Sequence, residues 1–551
     1  MSGHADDVCT FPISRLSAMI ERRALSPVEL VEACLSRIGS YDGQVNAFIT
    51  VTTELAKKQA HDAEREIAAG RYRGPLHGIP FGLKDVIETA GVRTTAHSRM
   101  LETNVPPEDA AVVEKLYRAG AVLVGKLSTH EFAHGGPSFD LPWPPARNPW
   151  DLTRFTGGSS SGSGAAVAAR FIPAALGTDT GGSVRIPAAL CGVTGLKPTY
   201  GRVSRRGIIP NSYSFDHCGP IARTAEDCAL LLQAIAGYDA HDPGSADHPV
   251  PLYHETLKTD LEGMRIGVVR HFWEADLRVP DAVHTAMEAS LRVLAGLGGT
   301  LETVCLRPLQ EYTDVKNVIS EAELFAVHQQ DLIERAGDYG EIMRSRILAF
   351  CLFQAADYVQ AQRQRRRMLD EMKPLYERYD VFVNAGPGPA PLLADSRQVG
   401  LNDKWEKPKL PAAFSVTGGP ALVLCNGFDE RTLPLSMEIA ARPFNESAVL
   451  RVAHAYQHAT EWHRAVPSLA PGAIAPRIDA PVETHADPGI DDATRDYVDM
   501  MAARAGLGLT GAQKKQLYEA APHALAMVGR IERMHARSVE PANVFRFAAD
   551  D

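Results

Sequence analysis

Residues 174–183 read Ala-Ala-Leu-Gly-Thr-Asp-Thr-Gly-Gly-Ser, an apolar run that passes into a turn of glycine and hydroxyl residues. The run from Ala174 to Asp179 predicts a buried strand, and the chain after Thr180 turns into a new helical segment. Glycines at the start of a helix leave backbone N–H groups uncovered, and such groups bind anions or stabilise an oxyanion. The hydroxyl of Ser183, which lies in this turn, is therefore well placed to attack a carbonyl.

A second run of glycine and serine precedes this turn. Residues 157–164 read Gly-Gly-Ser-Ser-Ser-Gly-Ser-Gly and lead into a helix of small residues, Ala165 to Arg170. A flexible linker has a similar composition, but linkers do not run into alanine-rich helices at the centre of a domain. The run also spells G-x-S-x-G, the nucleophile elbow of α/β-hydrolases, which requires an apolar strand directly before it. Residues 148–156 do not have the sequence of such a strand.

A serine nucleophile needs a neighbouring base, because its hydroxyl is un-ionised at neutral pH. The 19 histidines show no spacing that singles one out. Lys84 follows the apolar run Ile79 to Leu83, and burial would lower the pKa of its ammonium until the neutral amine could accept a proton. On these residues alone, Lys84 could equally be a surface lysine at the end of a strand.

His130-Glu131-Phe132-Ala133-His134 spells H-E-x-x-H, the zinc-protease motif. Both histidines bind zinc only when one continuous helix presents them on the same face. Because Gly-Gly-Pro follows directly at residues 135–137, we do not expect such a helix, and no metal site is predicted.

The wider pattern predicts a sheet covered by helices. A strand at residues 79–83, a helix at 110–119 and a strand at 121–124 follow one another, which favours a mixed or parallel sheet. Ser26 to Glu29 form a helix capping box. Further strands are predicted at Val381–Ala385 and Ala421–Leu424, and a charged surface helix at Asp357–Leu375.

The C-terminal part differs in composition. Prolines at 467, 471, 476, 481 and 488 indicate a linker, and two helices are predicted after it, at 492–505 and 511–534. The second helix carries an apolar stripe of residues three or four apart: Leu517, Ala521, Leu525, Val528 and Ile531. So short a hairpin cannot bury this stripe alone, so it docks either on the main domain or on a second copy of the chain.

Composition excludes several classes of protein. The 551 residues are 45% hydrophobic and 23% charged, which is typical of a soluble globular protein, and no apolar run is long enough for a membrane helix. The net charge of −10 and the absence of a strong basic block argue against a nucleic-acid partner. The eight cysteines form no C-x-x-C pair, and Met1 to Thr10 lacks the apolar core of a signal peptide, so we expect a cytoplasmic protein.

Taken together, these stretches resemble the amidase signature family. The resemblance covers about five sixths of the chain, departs at Ser161 where the family usually has glycine, and is carried by residues 74–85, 147–151, 157–160, 177–188, 191–199, 434–437 and 442–444. It implies an α/β fold, in which a large mixed sheet is sandwiched between helices and a small helical extension follows. The expected boundaries are 1–469 for the catalytic domain, 470–490 for the linker and 491–551 for the extension, which weakly resembles small accessory subunits of amidases.

The resemblance also implies a catalytic triad. Ser183 would be the acylated nucleophile, Lys84 the base, and Ser159 the relay between them, held on a cis peptide after Gly158. The oxyanion hole would be formed by the backbone N–H groups of Thr180, Gly181, Gly182 and Ser183. The two turns would be supported from behind by Ser160, Asp179 and Arg185. The substrate pocket would be lined by Ala133, His134, Gly135 and Trp143, with further side chains from residues 320–353.

The expected function is hydrolysis of the C–N bond of a small aryl or alkyl carboxamide through an acyl-enzyme, without a cofactor. Carbamates and urea-type compounds such as allophanate or biuret are alternative substrates. A second alternative is an A-type subunit of a tRNA-dependent amidotransferase. For partners, we expect a small-molecule amide, no nucleic acid, no membrane, and a homodimer formed through the extension.

Overall fold

The computed structural model describes residues 8–398, 401, 403–478 and 489–542. Eleven strands of this part form one sheet in the order β1-β3-β2-β6-β8-β7-β12-β13-β11-β9-β10, and β4 and β5 form a separate two-stranded ribbon. The strands are β1 Phe48–Val51, β2 Pro80–Lys84, β3 Val122–Leu127, β4 Arg147–Asn148, β5 Asp151–Phe155, β6 Ala174–Asp179, β7 Thr194–Lys197, β8 His217–Ala222, β9 Arg265–Val268, β10 Thr300–Thr303, β11 Val381–Ala385, β12 Ala421–Phe428 and β13 Pro434–Ala440.

Helices cover this sheet. They are α1 Ile13–Glu21, α2 Pro27–Val45, α3 Thr53–Ala68, α4 Ala111–Arg118, α5 Ser161–Ala168, α6 Arg185–Cys191, α7 Ala225–Ile235, α8 Asp281–Gly296, α9 Leu309–Arg335, α10 Glu341–Ile347, α11 Ala355–Arg378, α12 Asp403–Glu406, α13 Ala412–Val416, α14 Glu446–Ala459, α15 Asp492–Arg504 and α16 Gly511–Gly529. The prediction of a large mixed sheet between helices is confirmed.

The unit that positions the site is the pair of parallel strands β2 and β6. Leu83 pairs with Leu176, so Lys84 and the end of β6 meet at the same edge of the sheet. Strand β2 is buried along its whole length, as the apolar run Ile79 to Leu83 predicts. Strand β3 also lies parallel to β2, with α4 between them in the chain, which confirms the predicted strand-helix-strand unit.

Helix α5 is buried on every side, since all eight of its residues are buried. Such a helix tolerates only small side chains where it touches other backbone. At Gly162, an added Cβ would overlap the carbonyl oxygen of Ala47, and at Gly164 it would lie 2.9 Å from Pro187 Cβ. The glycines and alanines that resemble a linker in composition are therefore those of a core helix.

The C-terminal extension packs against the catalytic part of the same chain. The predicted stripe is buried at Leu517, Ala521, Val528 and Ile531, and α16 contacts α10 and the turn Leu348–Leu352. Beyond α16, Arg530 donates to both carboxylate oxygens of Asp314 on α9, each at 2.7 Å. Arg533 Nη2 lies 2.7 Å from Asp357 Oδ1 on α11.

Parts of three sequence-based predictions lie outside the described residues: those for the first seven residues, for residues 479–488 of the linker, and for the chain after residue 542. Within the described residues, no helix is both long and apolar enough to cross a membrane.

Candidate active site

Lys84 lies at the end of β2 and is completely buried. Its Nζ donates to Ser159 Oγ at 2.6 Å and to Thr178 Oγ1 at 2.7 Å. Burial lowers the pKa of Lys84 to about 7, although the carboxylates of Asp216 and Asp179 act in the opposite direction. At neutral pH, a substantial share of this side chain is therefore the neutral amine.

Ser159 follows a cis peptide bond after Gly158, and its carbonyl accepts a hydrogen bond from His130 N at 3.0 Å. The next residue, Ser160, ties this turn to the turn of Ser183. Its backbone N donates to Ser183 O at 3.2 Å, and its Oγ donates to Thr178 O at 3.2 Å. The two serine-bearing turns are thus held side by side.

The turn from Thr180 to Ser183 faces a cavity. The N–H groups of Thr180, Gly181 and Ser183 make no hydrogen bond within the described part of the chain, so they are open to a ligand. Gly182 differs from the sequence-based expectation. Its N donates to Asp179 Oδ1 at 2.7 Å, which means that this N–H holds the turn together and is not free for an oxyanion.

Asp179 and Arg185 support this turn from behind through hydrogen bonds to its backbone and to each other. The Asp179 carboxylate also accepts a hydrogen bond from Val184 N at 3.1 Å. Arg185 donates to both of its oxygens, from Nε to Oδ2 at 3.0 Å and from Nη2 to Oδ1 at 2.9 Å. Burial alone would raise the pKa of Asp179, but the Arg185 guanidinium holds it well below its usual value. Arg185 also bonds Glu438 Oε1 at 2.7 Å, which links the turn to β13.

The cavity has a volume of about 440 Å³. It contains Ser159, Ser183 and three of the four predicted pocket residues: Ala133, His134 and Gly135. Trp143, the fourth, does not line it. Its ring instead packs edge-to-face on His97, with Arg93 above it, so the structure does not bring Trp143 together with the other three predicted pocket residues.

Helix α9 lines the cavity with residues that precede the predicted range 320–353. Its cavity-facing residues are Thr313, Lys316 and Asn317 of α9. Lys316 falls four residues after Tyr312 and three before Ile319, both of which are buried in the core. A lysine on the apolar stripe of a helix is the signal that could have identified it.

Neither of the two competing motifs has the local structure that its proposed chemistry requires. The H-E-x-x-H stretch is not a continuous helix, because Phe132 has φ 46° and Ala133 φ 59°. His134 Nε2 lies 3.0 Å from Glu321 Oε2, whereas Glu131 accepts from Ser98 Oγ at 2.6 Å. The G-x-S-x-G run follows β5, which pairs with β4 and is not part of the main sheet, so this run lacks the strand that a nucleophile elbow requires.

Residues 29–450 match the family model named Amidase. The A-type subunit of the glutamyl-tRNA(Gln) amidotransferase of Methylococcus capsulatus is 40% identical over 490 residues, which span 83% of this chain and 98% of that protein.

Two solved structures show the same fold. One, from work on a vestigial protein complex and the origins of an s-triazine catabolic enzyme, is 33% identical with a TM-score of 0.75 and covers 82% of this chain and 98% of its own. The peptide amidase of Stenotrophomonas maltophilia is 30% identical with a TM-score of 0.71, covering 83% and 98%.

These relatives correct the predicted partners. The predicted partners are a small-molecule amide and a second copy of the chain, without nucleic acid. This exclusion of nucleic acid and of other subunits is wrong, because relatives at 40% identity are subunits of a tRNA-dependent enzyme. The net charge of −10 is a poor guide here, since it constrains only the surface of one chain and says nothing about an assembly in which other chains bind the nucleic acid.

The family model spans most of the chain, and the lysine, the two serine turns and much of the cavity lie within the matched residues. The chain belongs to the amidase family, whose members cleave C–N bonds.

Proposed function

We propose that this chain cleaves a carboxamide by forming an acyl-enzyme on Ser183, with Ser159 and Lys84 as the proton relay. The observation that supports it best is the 2.6 Å hydrogen bond from the buried Lys84 Nζ to Ser159 Oγ beside the cavity that contains Ser183. Among the described residues, no hydrogen bond joins the side chains of Ser159 and Ser183, and the mechanism requires this link when substrate is bound.

In the first half of the reaction, Ser183 Oγ attacks the carbonyl carbon while its proton passes to Ser159 and the Ser159 proton passes to neutral Lys84. The N–H groups of Thr180, Gly181 and Ser183 stabilise the oxyanion. Collapse of the tetrahedral intermediate breaks the C–N bond, and the relay returns a proton to the leaving nitrogen. Water then hydrolyses the ester by the same proton path.

We assign the chain to the A-type subunits of tRNA-dependent amidotransferases, in which the released ammonia is passed to a misacylated tRNA. The support for this assignment is the 40% identity to proteins of that name across 98% of their length.

A self-contained hydrolase of carboxamides or urea-type compounds is a second candidate. Two observations favour it: the likeness to the structure connected with s-triazine catabolism, and the helices α15 and α16, which lie beyond the matched residues 29–450 and both contact the turn Leu348–Leu352 of the same chain.

Ammonia release by the purified full chain separates the two candidates. We would assay glutamine, simple carboxamides, carbamates and ureas, with the chain alone and with glutamyl-tRNA(Gln) and the other amidotransferase subunits. For the A-type subunit, we expect amidated tRNA and ammonia release that depends on the partners. Full turnover of a small amide by the chain alone would instead support the hydrolase. Unchanged turnover by Ser183→Ala would contradict both candidates.

A further inference from the structure

The cavity wall contains a buried lysine that the proposed mechanism does not use. Lys316 on α9 is only 9% exposed and lines the same cavity as Ser183. Its one hydrogen bond within the described residues is a long one, from Nζ to Asn317 Oδ1 at 3.4 Å. A buried ammonium usually has a carboxylate partner, because removing it from water is costly.

The nearby carboxylates are engaged elsewhere. Glu321, the carboxylate that acts most strongly on the pKa of Lys316, lies 3.0 Å from His134 Nε2 and 3.3 Å from Arg346 Nη2. Asp179 is held by Arg185, and Asp216 accepts from Thr180 Oγ1 at 2.6 Å and from two backbone N–H groups. The ammonium of Lys316 is therefore left facing the cavity.

Lys316 lies against the turn that would hold the scissile carbonyl. A Cβ added at Gly181 would lie 2.7 Å from Lys316 Cε and 3.0 Å from Nζ. The φ of Gly181 is not positive, so what the glycine provides here is space for the lysine. The ammonium thus lies next to the N–H groups proposed to bind the oxyanion.

The other lysine and arginine side chains of the cavity wall add further positive charge. Lys316, Arg278, Lys407 and Lys409 line it, and no Asp or Glu of the described side chains does. This excess of cations occurs in a chain whose net charge is −10. A cavity lined by one sign of charge concentrates ligands of the opposite sign.

We propose that Lys316 binds a carboxylate of the substrate, so that the enzyme acts on amides that carry an anionic group a few bonds from the scissile carbonyl. The inference rests on the proposed amide cleavage and specifies its substrate class. Burial lowers the pKa of Lys316, with Glu321 acting against this effect. A bound carboxylate adds a second negative charge beside the ammonium and favours its charged form.

The test compares two amides of equal length, succinamate and its neutral counterpart butyramide. Ammonia release by the full chain is measured for the wild type and for Lys316→Met, Lys316→Arg and Lys373→Met. The last variant removes one positive charge from an exposed lysine of α11 that pairs with Asp370. It is the control for a general effect of net charge.

We expect the wild type to prefer succinamate. In Lys316→Met, kcat/KM for succinamate should fall by about 30-fold or more, mainly through KM, and by far more than kcat/KM for butyramide. Lys316→Arg should recover part of the preference, and Lys373→Met should match the wild type. Melting temperatures of all variants would show whether each is folded.

Three results would overturn the proposal. Equal losses of kcat on both amides would make Lys316 an oxyanion or structural group, and unchanged kinetics would leave it without a role. A wild type that cleaves butyramide as well as succinamate would refute carboxylate recognition but leave amide cleavage intact. No ammonia from any amide, with or without the other amidotransferase chains, would refute the proposed function itself.

Discussion

At the scale of single residues, the buried lysine controls the pH dependence of the proposed reaction. Lys84 can accept a proton only as the neutral amine, and its pKa is lowered to about 7 by burial. Below that pH the ammonium predominates, so kcat/KM should fall about tenfold per pH unit, and above it activity should level off. Steady-state rates between about pH 5 and 9 would measure this.

Removing the base should abolish that profile. Lys84→Met should lower kcat/KM by about 10²- to 10⁴-fold and leave no inflection near neutrality. Lys126→Met is the control for the loss of a buried lysine. Burial also lowers the pKa of Lys126, to about 8, but this lysine lies on β3 and donates to Ile87 O at 2.6 Å. If the profile were unchanged in Lys84→Met, another group would have to be the base.

The Asp179–Arg185 pair should matter more for stability than any exposed ion pair. Asp179→Asn would leave the fully buried guanidinium without its main counter-charge, which costs about 3–5 kcal/mol. Asp370→Asn, in an exposed pair with Lys373, should change stability by less than about 1 kcal/mol. Chemical denaturation of both variants would test this, and equal midpoints would contradict it.

At the scale of elements, the serine turn at the start of α5 leaves no room at Gly158. A Cβ there would overlap the imidazole ring of His130, which is buried and stacked on Phe155 with centroids 5.6 Å apart. We expect Gly158→Ala to displace the Ser159 turn, to destabilise the protein by about 1–3 kcal/mol and to remove most activity.

A control glycine with free space around it should be stabilised, not destabilised, by substitution with alanine. Gly39 of α2 has nothing within 4 Å of an added Cβ and no positive φ. Gly39→Ala should therefore stabilise the protein by about 0.5–1 kcal/mol and leave activity unchanged. Melting curves and rates of both variants would test the pair, and similar losses in the two would refute this explanation of Gly158.

The elements that the sequence predicts are those with a local signal. The run Ala174 to Asp179 predicts β6 at its observed bounds, and the capping box at Ser26 begins α2 as expected. Strand β1 consists of residues that favour strands, Phe48-Ile49-Thr50-Val51, but it is only four residues long and half-buried or exposed, and the sequence pattern does not single it out. The bonded N–H of Gly182 and the remote position of Trp143 depend on tertiary contacts that no local pattern encodes.

At the scale of the whole molecule, three of the four expected pocket residues line the cavity, but its cationic wall combines residues from distant parts of the chain, and no local pattern shows that they meet. Lys316 comes from α9, more than a hundred residues after Ser183, and a lysine in a helix is usually interpreted as solvated. Its burial follows from the packing of α9 against neighbouring helices, including α16 of the extension. Only the assembled fold brings the lysine to the serine turn.

The extension should contribute to the stability of α9 through Arg530 and Asp314. Asp314 is 4% exposed on its side chain and Arg530 40%, so the two truncations differ. Arg530→Met leaves a buried carboxylate with Gln310 as its remaining described partner and should cost about 1–3 kcal/mol. Asp314→Asn leaves an arginine that solvent can reach and should cost less. Because the residues share one interaction, the double variant should cost less than the sum of the singles.

The same coupling should reach the cavity, since Asp314 lies two residues before Lys316 on α9. Arg530→Met in the full chain should therefore raise KM for an amide substrate a few-fold while kcat changes little. Arg464→Met, which breaks an exposed pair with Glu461, is the matched control and should alter neither stability nor KM. Apparent melting temperatures and steady-state kinetics of the four variants would test this. Additive losses at 314 and 530, or an unchanged KM in Arg530→Met, would mean that the extension only covers the catalytic part and does not position α9.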